Sequence, residues 1–176
     1  SAAITLASCG CDEVIVVGRR EYKLSVAKKL GFKTFTTLDD DWKDQLREYL
    51  GPRKAVSRQG VDAMCWVEAT ADEEIIGDIS TIMPERSNLT IVAAHQKPIC
   101  FNPAFLTFNE MKISGSQAFL QTDVAPGMEL LKSTPYDILQ ICGYVCKQEE
   151  LKKGIELMRE GKITKAVIDY TGKLSI

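Results

Sequence analysis

Two adjacent arginines end the apolar run in EVIVVGRREYKL, residues 13–24, and guanidinium groups at that place have an evident chemical use. A short β-branched run without alternation reads as a strand buried on both faces of a parallel sheet. In a doubly wound sheet, ligands bind in the crevice beyond the carboxyl ends of the strands. The residue closing the second strand selects between dinucleotides. A carboxylate there accepts hydrogen bonds from the adenosine ribose hydroxyls and repels a 2′-phosphate, whereas its removal, with arginines nearby, reverses the preference. Here the position is Gly18, followed by Arg19 and Arg20. Each charge-assisted hydrogen bond to phosphate is worth about 1.5–3 kcal/mol, or roughly ten- to hundredfold in affinity. The expectation is NADP, with NAD disfavoured. The rival reading is a pair of solvated arginines on a loop.

The remaining candidates for chemistry are few. His95 is the only histidine and closes another apolar run, NLTIVAAH. It reads as a cofactor or substrate contact, a direct participant, or an ordinary loop histidine. Six cysteines occur without a secretion signal, so reduced and mostly buried thiols are expected. Neither Cys9-Gly10-Cys11 nor the Cys142…Cys146 pair has the spacing of a structural zinc site. No catalytic residue and no metal ligand is therefore assigned within the chain.

The elements that must position these residues follow from periodicity. Residues 1–9 read as a helix closed by Gly10, and residues 13–17 as the buried strand. From Glu21 the period becomes helical, with Leu24, Ala27 and Leu30 recurring, lysines in the last turn and Gly31 as the stop. Residues 32–36 predict a strand and 39–51 a helix. The unit repeats: strand 61–70, helix 71–83 stopped by Pro84, strand 88–94, a loop with two prolines through Phe108, and strand 110–116. A helix over 123–133 is expected to start on Asp123 as N-cap, with Pro126 in the first turn. The tail predicts an amphipathic helix with Leu151, Ile155 and Met158 on one stripe, a stop at Gly161, and a strand over 165–170. Strand-helix alternation of this kind indicates a doubly wound α/β sheet.

Composition excludes several function classes. A net charge of −2 and a pI near 5.5 provide no field to recruit nucleic acid or anionic membrane. No apolar run approaches the ~18 residues that span a bilayer, and no secretory leader pattern opens the chain. The cytoplasm is the expected address.

The order of elements resembles the cofactor-binding half of the medium-chain, zinc-type alcohol dehydrogenases. Four stretches carry the resemblance: VIVVGRREYKLSVAKKLG, GVDAMCWVEAT, NLTIVAAHQKP with MKISGS, and ELKKGIELMREGKITKAVI. The HQKP loop and the FNEMKISGS run look most like the secondary-alcohol and polyol members. Carried over by position, the resemblance implies that Gly18, Arg19 and Arg20 form the ribose-selecting turn and that Lys23 approaches the adenosine ribose. It implies that Glu68, Ala69 and Thr70 lie beside the nicotinamide half of the cofactor, and that the backbone of Val92, Ala93 and Ala94 approaches the carboxamide. His95 borders the cofactor in this alignment, and Ser116 closes the sixth strand. Small residues such as Ala69, Thr70 and Ala93 also serve packing, and Glu68 also suits backbone donors.

The pattern is incomplete. No G-x-G-x-x-G occurs, although the family holds the pyrophosphate on such a turn. The expected fold is thus a Rossmann-type doubly wound parallel sheet lacking its first strand and glycine-rich turn, with a C-terminal helix-strand extension. Residues 1–117 are expected to form the dinucleotide-binding domain, and 118–176 a segment that packs on an absent N-terminal catalytic domain. The resemblance implies hydride transfer between a secondary alcohol and nicotinamide in the intact enzyme, with zinc bound by that absent domain and the fragment alone inactive. It also implies a homo-oligomer, with the sheet edge near 110–116 as a candidate surface. The gap left by the central strand is expected to be repaired by direct pairing of strands 13–17 and 61–67, by another copy, or by an upstream piece. The rivals are a non-catalytic nucleotide-binding or dimerisation module and a Rossmann-type methyltransferase. The arginine pair argues against the latter, whose cofactor carries no phosphate.

Overall fold

A chain in which β-branched runs alternate with helical stretches must join its strands by crossovers, and parallel pairing follows. The structure, a computed structural model, describes residues 1–56 and 58–174. In chain order the first elements are α1 (Ala2–Ser8), β1 (Ile15–Gly18), α2 (Glu21–Lys29), β2 (Lys33–Thr36) and α3 (Trp42–Leu50). The hairpin strands β3 (Pro52–Ala55) and β4 (Arg58–Val61) precede β5 (Cys65–Glu68), α4 (Ile75–Ser80), β6 (Asn88–Ile91), α5 (Ala104–Asn109) and β7 (Lys112–Gly115). The chain continues through α6 (Gln121–Ser133), β8 (Cys142–Cys146), α7 (Leu151–Arg159) and β9 (Lys165–Ile168). Two compact units result: Ser1–Asp39 with Leu120–Ile176, and Asp40–Phe119.

In the first unit β1 runs parallel to β2, with Ile15 opposite Lys33 and Gly18 opposite Thr36. The crossover is α2, whose Glu21 begins and whose Lys28 and Lys29 end the helix in the sense its dipole favours. Ile4, Ala27 and Phe32 form a core packed by Val14, Val16, Leu30 and Ile141, and Phe32 stacks on Tyr136 at 5.0 Å between ring centroids. β8 runs parallel to β9, and α7 is seated very close to that pair. A Cβ on Gly154 would lie 2.7 Å from Ala166 Cβ and 3.2 Å from Tyr144, so only glycine fits mid-helix.

In the second unit β5, β6 and β7 form one parallel sheet in that order, and β3 pairs antiparallel with β4. Its core contains Leu46, Val61, Ile76, Ile82, Met83 and Leu89, each at most 2% exposed. No helix among the described residues is long and apolar enough to cross a membrane.

Several expectations need correction. Direct pairing of the strand near 13–17 with that near 61–67 does not occur among the described residues: β1 pairs with β2 and β5 with β6. β1 is half-buried rather than buried on both faces. Val61 belongs to β4, because PRKA turns back on RQGV before β5 begins. Residues 104–109 form a helix where a loop was expected, begun by Pro103 as N-cap. Asp123 is the third residue of α6 rather than its cap, and its Oδ2 accepts the N–H of Leu120 at 2.7 Å. Pro126 therefore lies in the second turn. Of the expected stripe, Leu151 and Met158 are half-buried on the face of Gly154, whereas Ile155 is 40% exposed. The thiols are not mostly buried either. Cys9, Cys11, Cys65 and Cys100 are exposed, Cys142 is half-buried and Cys146 is buried, since the runs flanking the first four end in turns or lie on outward strand positions.

Candidate functional site

In the first unit the turn after β1 carries positive charge on an open surface. Arg19, Arg20 and Lys23 are exposed, and Arg20 is the N-cap of α2. The neighbouring glycines fix where these side chains lie. A Cβ on Gly161 would stand 3.4 Å from Arg20 Cδ, and one on Gly143 would stand 2.8 Å from the Tyr22 hydroxyl. The start of α2 therefore packs on the strand starts of the β8–β9 pair, where Lys165 lies opposite Cys142, next to Gly143. The Lys23 ammonium is held below its usual range, first by burial and then by Arg20 and Lys165. Among the described residues no carboxylate forms an ion pair with Arg20, Lys23 or Lys165. Such a surplus of cations is relieved by a bound polyanion. Lys165 escaped sequence reasoning, since its nearness to the turn depends on contacts between segments over a hundred residues apart. The only signal was the basic residue in GKITKAVI.

In the second unit the carboxyl ends of three strands lie side by side. Glu68, Ile91 and Gly115 are in register across β5, β6 and β7. The pairing runs on past the strands, since Val92 N–H donates to Glu68 O and Ser116 N–H to Ile91 O, both at 2.9 Å. This edge thus collects Glu68, Ala69 and Thr70 with Val92, Ala93 and Ala94, and with Ser116. All of them but Glu68 and Ala93 are exposed.

Glu68 is the exception because its carboxylate is fully engaged. Its Oε1 accepts Thr70 N–H at 2.6 Å, Thr70 Oγ1–H at 2.7 Å and Ala71 N–H at 2.9 Å. The last bond holds Ala71 at φ 57°, in the left-handed region. Its Oε2 meets His95 Nε2 at 2.8 Å. Burial works to raise the Glu68 carboxyl, but the hydrogen bonds from Thr70, His95 and Ala71 outweigh it and hold the group below the usual carboxylate range. Lys97 reaches Glu73 at 2.8 Å beside this pair, a second tie between the same two loops.

The predicted residues thus form two sets, one in each unit. Gly18, Arg19, Arg20 and Lys23 gather with Lys165, and Glu68, Ala69, Thr70, Val92, Ala93, Ala94, His95 and Ser116 share one sheet edge. The bond from Glu68 to His95 joins residues 27 apart, and nothing in the local pattern announces it. An open depression lined by Lys29, Leu30, Pro135, Tyr136, Asp137 and Gln140 lies at the opposite end of α2 from Arg20 and includes none of the predicted residues. Among the described residues no group of three or more His, Cys, Asp or Glu could hold a metal ion.

The family described as Zinc-binding dehydrogenase matches residues 1–133 of the chain. A comparison with curated protein sequences found no match. Among solved structures, benzyl alcohol dehydrogenase from Acinetobacter calcoaceticus superposes with a TM-score of 0.78 at 18% identity, over 95% of this chain and 45% of that one. The 2R,3R-butanediol dehydrogenase from Bacillus subtilis gives 0.76 at 15%, over 94% and 46%. A short chain alcohol dehydrogenase from E. coli CFT073, solved with NADH, gives 0.76 at 14%, over 94% and 47%. At these identities the likeness carries the fold, a Rossmann-type α/β domain. The chain spans less than half the length of each of these proteins.

Proposed function

The chain belongs to the zinc-binding dehydrogenase family, and from that premise we propose that it supplies the NADP-binding part of an alcohol or polyol dehydrogenase acting in the cytoplasm. Residues 1–117 supply the dinucleotide-binding domain in this reading, joined at the cation cluster by Lys165, and the rest of residues 118–176 packs on a catalytic domain. The observation that carries the reading is the unneutralised cluster of Arg20, Lys23 and Lys165 at the turn where a ribose selector would stand. Gly18 places no carboxylate there, and Arg19 and Arg20 meet the 2′-phosphate. The exposed edge of β5, β6 and β7 takes the nicotinamide end, with the backbone of Val92, Ala93 and Ala94 toward the carboxamide and Ala69, Thr70 and Ser116 flanking it.

A bound dinucleotide would supply the hydride acceptor, and zinc held outside these residues would supply Lewis-acid chemistry toward the alcohol. The described residues fit the first group and not the second, because they offer phosphate-binding cations but no metal-ligand set. This chain's contribution is to bind and orient. Family membership leaves the methyltransferase and the non-catalytic module without a supporting observation.

Calorimetry with NADP and NAD tests the reading. The chain is expected to prefer NADP, and Arg19→Asp and Lys165→Ala are each expected to weaken NADP about tenfold while leaving NAD within about twofold. Equal losses for both dinucleotides would defeat the 2′-phosphate assignment.

A further inference from the structure

The cofactor reading leaves unused the bond between Glu68 and His95. The two side chains are 1% and 10% exposed, at the end of β5 and in the loop after β6. Three donors from Thr70 and Ala71 occupy Glu68 Oε1, and Oε2 goes to His95 Nε2. An ionised carboxylate only accepts hydrogen bonds, and a neutral imidazole carries its single proton on one nitrogen or the other. In the neutral ring this contact places the proton on Nε2 and leaves Nδ1 a bare lone pair. That Nδ1 is buried and has no hydrogen-bond partner. A buried acceptor of this kind is an uncompensated cost in the free protein, and a donor arriving with a ligand recovers it.

We propose that Glu68 is a positioning residue that fixes His95 in its Nε2–H tautomer, so that Nδ1 accepts a hydrogen bond from an N–H of the bound ligand. The proposal rests on the dinucleotide reading, in which the group carried to the ends of β5 and β6 is a primary carboxamide. An amide has N–H groups to offer and no charge. A carboxylate in the same place has no proton and sets its own lone pairs against that of Nδ1.

Two measurements test this. His95 is the only histidine, so the ¹⁵N spectrum of histidine-labelled chain reports its tautomer without any assignment. The neutral ring is expected as Nε2–H in the unaltered chain and as Nδ1–H in Glu68→Gln. Glutamine keeps an acceptor for Thr70 and Ala71 while turning its NH₂ toward the imidazole, which drives the ring proton to the far nitrogen. The second measurement compares, by calorimetry, NADPH with the same dinucleotide bearing a carboxylate in place of the carboxamide. The unaltered chain is expected to favour the amide by about five- to a hundredfold, and Glu68→Gln to lose that preference. An Nδ1–H ring in the unaltered chain, or an Nε2–H ring in Glu68→Gln, overturns the positioning role. Equal binding of both dinucleotides overturns the Nδ1 contact and leaves the dinucleotide reading standing. Failure of both to bind overturns the dinucleotide reading itself, and the ligand contact with it.

Discussion

Replacing Glu68 with alanine should destabilise the second unit by about 3–5 kcal/mol, and the structure shows how that figure divides. Four donors lose their acceptor: Thr70 N–H, Thr70 Oγ1–H, Ala71 N–H and His95 Nε2–H. Thr70 and Ala71 are exposed, so water replaces the carboxylate and the loss of their three bonds together stays at about 1.5–2 kcal/mol. His95 is only 10% exposed and has no second partner, so its donor bears the full cost of an unpaired buried group, about 1–3 kcal/mol. Ala71 adds to this, since its left-handed φ of 57° then lacks the bond that holds it. Glu68→Gln keeps one acceptor oxygen and should cost about 1–2 kcal/mol.

Urea unfolding followed by tryptophan fluorescence reads this directly, because Trp42 and Trp66 are the only tryptophans and both lie in the second unit. The pH dependence supplies an independent arm. A carboxyl held below its ordinary value in the folded state contributes stability that is present above the ordinary value, 4.5 here, and is lost as pH falls toward the lower folded one. The unaltered chain should therefore weaken below about pH 4.5 more steeply than either variant. An alanine variant within about 0.5 kcal/mol of the unaltered chain, or parallel acid profiles, would refute the claim that this carboxylate organises the strand end.

The remaining predictions concern packing and exposure. Gly60→Ala would place its Cβ 2.8 Å from Pro84 Cα and 2.9 Å from Pro84 N, both backbone atoms, so a loss of about 1–3 kcal/mol is expected in the same fluorescence assay. No measurable change would mean that β4 and the Pro84 turn are further apart than they stand here. In the native chain a thiol reagent should modify Cys9, Cys11, Cys65 and Cys100 promptly and Cys146 only on unfolding, read as mass increments over time. Prompt modification of Cys146 would contradict its burial at the end of β8, where its thiol donates to Val167 O.

What the sequence could announce, and what it could not, divides along physical lines. EVIVVG, NLTI and MKISG are legible as strands because β-branched runs between turn residues have few alternatives. The stops at Gly10 and Gly31 are legible because φ values of 93° and 89° suit glycine. PRKA and RQGV are polar, exposed on several positions and held by each other, so neither carries a period of its own until the hairpin closes. CGYVC becomes a strand only because KAVI lies alongside it. The same rule governs the candidate site. Arg19 and Arg20 could be placed by counting from a strand end, since the end of a strand fixes its neighbours. Lys165 beside Lys23, and His95 on Glu68, are contacts made by tertiary packing, and no spacing encodes them. The local pattern thus locates the strand ends, while the charges and hydrogen-bond partners gathered beside them come from far along the chain. A substitution at Lys165 or Glu68 should therefore alter ligand preference more than its sequence neighbours would suggest.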